Sequence, residues 1–219
     1  MDSKNTISTV FSKRKERALG NIELEKVLKS FEAKSSLGKP LKNTLRNFEE
    51  GLLLSDVMSI AENLASQIEK IVIPEDVAFR IKSPNSIELK LKRNSSDATR
   101  SIHSIFNDLL GFRKIVESYS EVLVVDDREI RLVDMSCGKR TDDGYRGVHW
   151  YYQASSYHYP IEIQFFTESD LWFNNLLHTY VYKYASAEVG VVLREAFERG
   201  LIADEEQFRE VLSNEILGR

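Results

Sequence analysis

Charged side chains lodged inside apolar segments are the places where this sequence could do chemistry, and four of them stand out. In the first, Arg80-Ile81-Lys82 is followed by Ser86 and Lys90. Cations two apart on a strand project from one face, and a turn then puts Ser86 at a helix start with Lys90 four residues on, along the same side. Three cations and a hydroxyl at a strand–helix junction suit a polyphosphate, which asks for neutralised charge, backbone amides and a favourable dipole. The same spacing also describes a strand with snorkelling cations and a solvated helix face. The second place is Asp108-Leu109-Leu110-Gly111-Phe112-Arg113. Asp108 is predicted to end a helix whose apolar face includes Ile102, Ile105, Phe106 and Leu109, and a carboxylate there opposes the helix dipole. It asks for a cation: Mg²⁺, which takes one or two carboxylates plus phosphate oxygens, or a salt bridge to Arg113, unless the Asp simply forms a turn.

The third is Gly144-Tyr145-Arg146-Gly147-Val148-His149, entered through Thr141-Asp142-Asp143. Two glycines bracketing Tyr145 and Arg146 are expected to expose a ring on which a base could stack. In the fourth, Ile161-Glu162-Ile163-Gln164, alternation sends Glu162 and Gln164 one way and the isoleucines the other. That polar face borders solvent or lines a site.

The elements that must carry these residues follow from periodicity and punctuation. Helices are predicted at 22–35 and 42–70, the second from Leu41, Leu45, Phe48, Leu52, Leu54, Val57, Ile60, Leu64 and Ile68, which fall mostly at three- and four-residue steps. Pro74 marks a break, 77–82 is a strand, and Pro84 falls near a helix start. A helix is predicted at 97–109 and strands at 111–117, 121–126, 129–135, 147–153 and 160–166. Two helices are expected to close the chain, the last starting at Asp204 with Gln207 three residues on, a capping-box pattern. Helices, then strands, then helices give an α+β or mixed α/β fold in one globular unit. Its parts are a helical segment at 1–70, a core at 71–184 and closing helices at 185–219. His103, His158 and His178 share no metal-ligand spacing, Cys137 is expected to be a semi-buried bystander, and Trp150, Tyr151 and Tyr152 read as core and rim of a strand.

Composition bounds the setting. The chain has 219 residues, 42% hydrophobic and 29% charged, with a single cysteine. That is enough apolar content for a core and excludes a disordered or collagen-like chain. No apolar run approaches the roughly 20 residues of a membrane span. The basic cluster in MDSKNTISTVFSKRKER follows its few apolar residues, the reverse of a secretory signal, and with one cysteine this points to the cytoplasm. Thirty Lys and Arg against 34 Asp and Glu give a net charge of −4, but the balance is uneven. Residues 1–20 hold Lys4, Lys13, Arg14, Lys15 and Arg17 against two acids, a local +3, whereas 185–219 hold four Arg against eight acids, a local −4. A basic end invites a polyanion and an acidic end a partner or solvent.

Each signal is weak singly, but their order and spacing carry more. RIKSPNSIELKLKR at 80–93, NDLLGFR at 107–113, DGYRGVH at 143–149, PIEIQFFT at 160–167 and HTYVYK at 178–183 resemble, in order and interval, the synthetase domain of the RelA/SpoT family, which makes the alarmone (p)ppGpp. The stretch before these motifs is too short for a hydrolase domain and lacks His-Asp pairs, so the resemblance is to a small, single-domain member. It implies a nucleotidyltransferase-like central mixed sheet flanked by helices. It also implies transfer of the β,γ-pyrophosphate of ATP to a ribose 3′-hydroxyl, with AMP as leaving group. By the same resemblance, Arg80 stacks on adenine, and Lys82, Ser86 and Lys90 hold the ATP phosphates, with Arg113 a further phosphate contact. Asp108 binds Mg²⁺, and Glu162 shares that ion or draws the proton from the acceptor hydroxyl. Tyr145 stacks on the acceptor base, and Arg146, His149 and Gln164 hold or orient the acceptor.

The chain departs from the family pattern near the acceptor. Asp143 replaces the usual Asn before Gly-Tyr-Arg, Phe166-Thr167 replaces an Arg-Thr pair, and the Lys-rich approach is reduced to Lys139-Arg140. Members that act as toxins on the 3′ CCA end of tRNA tolerate such losses. The reading therefore leans towards tRNA, docked by Lys13, Arg14, Lys15 and Arg17. The acidic closing helices then offer a surface for an antitoxin or a second copy. GDP, GTP or an adenine nucleotide is the alternative acceptor, and a nucleotide-binding module without catalysis is the third reading.

Overall fold

In β1 (Val77–Ile81), branched and aromatic residues favour a strand, and Ser83-Pro84 ends it and starts a helix. The Ser83 hydroxyl caps α3 (Pro84–Asn94) by accepting from the Ser86 N–H at 3.3 Å, and Ile87 and Leu91 turn the helix's apolar side inward. The computed structural model describes residues 23–95, 99–125, 127–182 and 184–217. Within them the fold is α+β, a five-stranded mixed sheet flanked by helices. The other strands are β2 (Leu110–Ile115), β3 (Ile130–Asp134), β4 (Val148–Tyr152) and β5 (Ile161–Phe166), in the order β1-β2-β5-β4-β3. No described helix is long and apolar enough to cross a membrane.

Several predicted elements are shorter than their periodicity suggests, because backbone pairing with distant segments claims their ends. α1 covers 23–29 rather than 22–35. Beyond it, Ser35 N–H donates to Tyr157 O (2.9 Å) and Tyr159 N–H to Ala33 O (2.9 Å), an extended pairing incompatible with helix. α2 is Glu50–Ile68 rather than 42–70, since Asn43 O and Leu41 O accept from Ile102 and His103 N–H at 3.0 and 2.9 Å, leaving a single 3₁₀ turn at Leu45–Asn47. The helix predicted at 97–109 is reduced to α4 (Ile102–Ile105), closed at Phe106 by a non-helical backbone (φ −108°, ψ 58°). The strand predicted at 121–126 is absent among the described residues, and a 3₁₀ turn at Tyr119–Glu121, boxed by Ser118 and Glu121, stands at its start. Three helices rather than two follow the sheet: α5 (Glu168–Leu176), α6 (Ala187–Glu198) and α7 (Glu205–Leu217), with a π turn at Leu177–Val181. The cap expected at Asp204 is present, its carboxylate accepting from the Gln207 N–H at 2.8 Å.

The chain divides into two compact units, and the division runs through the 71–184 stretch expected to be one core. Among the described residues, the first comprises those up to Lys114, with those of 124–131 and Trp150–Ile163; the second comprises Ile115–Leu123, Leu132–His149 and those from Gln164 onward. β3, β4 and β5 each have residues in both. In the first, the buried faces of α2 and α3 carry Leu53, Val57, Leu64, Ile87 and Leu91, and the Phe31 and Phe112 rings meet at 5.8 Å. Asp56 of α2 is buried there as an acceptor, taking bonds from the Ser35 hydroxyl (2.7 Å), the Ser36 N–H (2.8 Å) and hydroxyl (2.6 Å) and the Tyr159 hydroxyl (2.9 Å). A carboxylate this fully satisfied pins the 35–36 segment to the helix. In the second unit, Phe173, Leu177, Val181, Leu193 and Phe208 form a core of their own.

Candidate functional site

The β1–β2 register puts Arg80 opposite Gly111 and Ala78 opposite Arg113, with Phe79–Phe112 and Ile81–Leu110 on the other face. Val77, Leu110 and Phe112 are buried, so Arg80, Gly111 and Arg113 share the face away from that core. Arg80 and Arg113 are exposed on it. Lys82, one residue beyond the strand, still donates its N–H to Leu109 O at 2.9 Å. Its ammonium donates to Asp108 Oδ2 at 2.6 Å, and the Lys90 ammonium, from the half-buried side of α3, donates to Asp108 Oδ1 at 2.9 Å. Both lysines therefore converge on one carboxylate. Ser86 is exposed at the first turn of α3, its hydroxyl accepting from that of Ser83 at 2.9 Å.

Asp108 departs from its predicted setting. It lies in the segment between α4 and β2 rather than at a helix C-terminus, so the helix dipole does not bear on it, and its countercharges are Lys82 and Lys90. Burial pushes the Asp108 carboxyl up, but Lys90 and Lys82 more than offset this and hold it below its ordinary value. Burial pulls the Lys90 ammonium down, and Asp108 only partly restores it.

Glu162 on β5 is only 5% exposed, which decides against the solvent-facing reading of its strand. Tyr151 of β4 donates its hydroxyl to Glu162 Oε1 at 2.9 Å, and the Arg131 guanidinium stacks 4.4 Å from the Tyr151 ring centre. A Cβ at position 111 would stand 3.6 Å from Glu162 Oε2, so the side-chain-free Gly111 lies directly beside this carboxylate. Burial, then Glu162, push the Tyr151 hydroxyl up and keep it a donor. Lys90 feels the charges of both Asp108 and Glu162, and so does Tyr151. Among the described residues no three metal-ligating side chains converge. Two carboxylates within one charge cluster nevertheless suit Mg²⁺, which completes its shell with phosphate oxygens and water. Tyr151 was read from sequence as core or rim; its place two residues after His149 on an alternating strand gave no sign that it would face Glu162.

The Tyr145 group belongs to the second unit. Gly144 adopts φ +85°, and a Cβ there would come within 2.2 Å of Gly190 O on α6; one at Gly190 would come within 2.1 Å of Asp143 O. Loop and helix thus touch backbone to backbone, and only glycine fits at either position. The Tyr145 ring was expected to be exposed, but it is buried at 8%. Its hydroxyl shares a 2.6 Å bond with His149 Nε2, and His149 and Phe166 meet it edge-on at 5.8 and 5.9 Å. The Lys139 ammonium lies 4.6 Å from the ring centre and also pairs with Asp143 at 2.6 Å. Arg146 donates to Asp142 Oδ1 at 2.9 Å and approaches Glu198 at 3.8 Å, so its cation is held by acids. Gln164 is half-buried on β5.

The departures from the family pattern acquire physical roles. Phe166 takes part in the ring cluster around Tyr145, and Thr167 caps α5 by accepting from the Asp170 N–H at 3.3 Å. Cys137 is exposed rather than semi-buried. Lys13, Arg14, Lys15 and Arg17 lie outside the described residues, as does Lys183 of the HTYVYK motif.

Two further residues escaped the sequence reading. Arg194 of α6 is 2% exposed: its Nε donates to Gly144 O at 2.7 Å, its Nη1 to Asp170 Oδ1 at 2.6 Å and its Nη2 to Asn174 Oδ1 at 3.3 Å, with the guanidinium 4.1 Å from the Phe173 ring centre. Asn174 brackets Arg146, accepting from its N–H at 3.2 Å and donating to its carbonyl at 2.7 Å. A charge inside the apolar run Val191-Val192-Leu193-Arg194 was the available signal.

No family model and no curated protein matches the chain. Among solved structures it is similar to three of the small alarmone synthetase 1 from Bacillus subtilis. One is 24% identical, covering 76% of this chain and 95% of that one, with a TM-score of 0.40. A second, bound to its product pppGpp, is 22% identical over 76% and 93%, with a TM-score of 0.41. The third, bound to AMPCPP, is 23% identical over 76% and 92%, with a TM-score of 0.36. Likenesses this distant do not say which reaction these side chains perform.

Proposed function

We propose that this chain is a small pyrophosphokinase of RelA/SpoT type that transfers the β,γ-pyrophosphate of ATP to the 3′-hydroxyl of a guanine nucleotide. The observation that carries the reading is the convergence of Lys82 and Lys90 on Asp108, in one charge cluster with the buried Glu162. Two ammonium groups on one carboxylate form a site whose cations can exchange that carboxylate for phosphate oxygens. Lys82 and Lys90 then hold the ATP phosphates with Ser86 and Arg113, Arg80 stacks on adenine, and Asp108 would hold Mg²⁺, with Glu162 beside it either sharing that ion or acting as the base. The ion, when bound, neutralises charge on the transferred phosphates. The acceptor oxygen attacks the β-phosphorus, the bond from that phosphorus to the α-bridging oxygen breaks, AMP leaves, and Glu162 receives the acceptor's proton. Tyr145 would carry the acceptor base on the ring face that Lys139 covers here, and Arg146 would exchange its acidic partners for the acceptor's phosphates, with His149 and Gln164 orienting the acceptor. Such a transfer depends on positioning and charge neutralisation more than on covalent help.

A free nucleotide suits the acceptor group best: one aromatic ring with the Lys139 ammonium 4.6 Å from its centre matches one base with a phosphate beside it. The tRNA reading leans on Lys13, Arg14, Lys15 and Arg17, outside the described residues. The test is incubation with ATP labelled in its terminal phosphates and GDP, GTP, an adenine nucleotide or deacylated tRNA. Label on the guanine nucleotide with release of AMP is the expected result. Label on tRNA alone overturns the acceptor and restores the toxin reading, with its antitoxin; ATP binding without transfer to any acceptor leaves a binding module.

A further inference from the structure

We infer that Arg194 and Asn174 are positioning residues for the acceptor, acting through the Tyr145 turn; this rests on the acceptor role proposed for Tyr145. Three contacts seize the backbone on both sides of that residue. Arg194 holds Gly144 O at 2.7 Å, and Asn174 holds Arg146 through both its N–H (3.2 Å) and its carbonyl (2.7 Å). Arg194 and Asn174 are themselves bonded to one another and are 2% exposed each. Asp170 fixes the far side of the guanidinium and is in turn bonded by the Tyr119 hydroxyl at 2.7 Å and by Thr167 at 3.0 Å. The close approach of Gly144 and Gly190 leaves the turn no slack towards α6.

A backbone gripped at residues 144 and 146 has little freedom at 145, so the ring plane of Tyr145 and its bond to His149 are set by α5 and α6. Neither Arg194 nor Asn174 needs to touch a substrate for this. Their effect falls on the acceptor and spares ATP, whose proposed contacts in β1, α3 and β2 belong to the other unit. A buried arginine making three hydrogen bonds and a ring contact would be a costly way to stabilise a loop if loop geometry did not matter.

The test compares Asn174→Ala and Arg194→Lys with the wild-type protein. Arg194→Lys keeps a cation for Asp170 but loses the Nε–H that holds Gly144, and so removes the grip without leaving an unpaired carboxylate. Both are expected to raise the acceptor KM about tenfold while the ATP KM stays within about twofold, the scale of one or two lost hydrogen bonds. Amide hydrogen exchange over residues 143–147 is expected to quicken. An unchanged acceptor KM, or equal rises in both KM values, overturns the inference. If the wild-type protein transfers to no acceptor, the proposed function fails, and exchange at 143–147 still decides the clamp: faster exchange in Arg194→Lys supports it, unaltered exchange overturns it.

Discussion

Glu162 is a buried carboxylate bonded by the Tyr151 hydroxyl. Tyr151 donates to Oε1 at 2.9 Å, which fixes the plane of the carboxylate, while Gly111 keeps a side chain from standing against Oε2. A general base in this setting contributes about 10²–10⁴-fold. Glu162→Gln preserves shape and is expected to lower transfer by that factor with the thermal melt unchanged; retained activity assigns the proton to another group. Tyr151→Phe removes one hydrogen bond to the Glu162 carboxylate and is expected to lower kcat about tenfold while ATP-analogue affinity stays the same. A kcat equal to wild type shows that Glu162 is oriented without Tyr151.

At the scale of elements, the Gly144 turn and α6 are packed more closely than any side chain allows. Gly144→Ala meets both a positive φ of +85° and a Cβ 2.2 Å from Gly190 O. Relief of either requires moving the loop or the helix, at a cost of about 3 kcal/mol or more. In a domain of this size that corresponds to a fall in Tm of about 6–12 °C, measurable by calorimetry. Gly38→Ala is the control: Gly38 also has a positive φ (+65°), but nothing lies within 4 Å of the added Cβ, so its cost is expected to be smaller. Equal losses from the two would show that conformation, not close approach, sets the penalty. β1 and α3 form a second rigid pair, joined by the Ser83 cap and Pro84, and this junction aims Lys82 and Lys90 at one carboxylate.

For the whole molecule, the proposed ATP contacts fall in one compact unit and Tyr145, Arg146 and His149 in the other, so the two proposed substrates are expected to be separable by mutation. Lys90→Met is expected to raise the ATP KM at least about tenfold and leave the acceptor KM nearly unchanged. Tyr145→Leu keeps apolar volume but loses the ring face, and is expected to do the reverse. Steady-state kinetics with both substrates varied checks the pair; a rise in both KM values for either variant would show that the substrates are read together. The net charge of −4 bears on solubility, while the proposed phosphate contacts rest on the local placement of Lys82, Lys90, Lys139 and Arg146.

Periodicity and punctuation were enough to place β1, the Pro84 helix start, β4 and β5, because those signals are local: alternation, a cap and a proline act over a few residues. The motifs also marked the residues, from Arg80 to Gln164, to which the proposal assigns chemistry. Elements whose ends pair with remote backbone, such as 33–35 with 157–159, were beyond local reading, since nothing within ten residues of Ala33 reports on Tyr159. The partners of each charge were equally out of reach. Asp108 is answered by Lys82 and Lys90 and not by a helix dipole, Glu162 by Tyr151, and the Tyr145 turn by Arg194 and Asn174. A sequence determines which groups need a partner, because burial of an unpaired charge or amide is costly wherever it occurs; which group supplies it depends on how distant segments meet, and that only the tertiary structure decides.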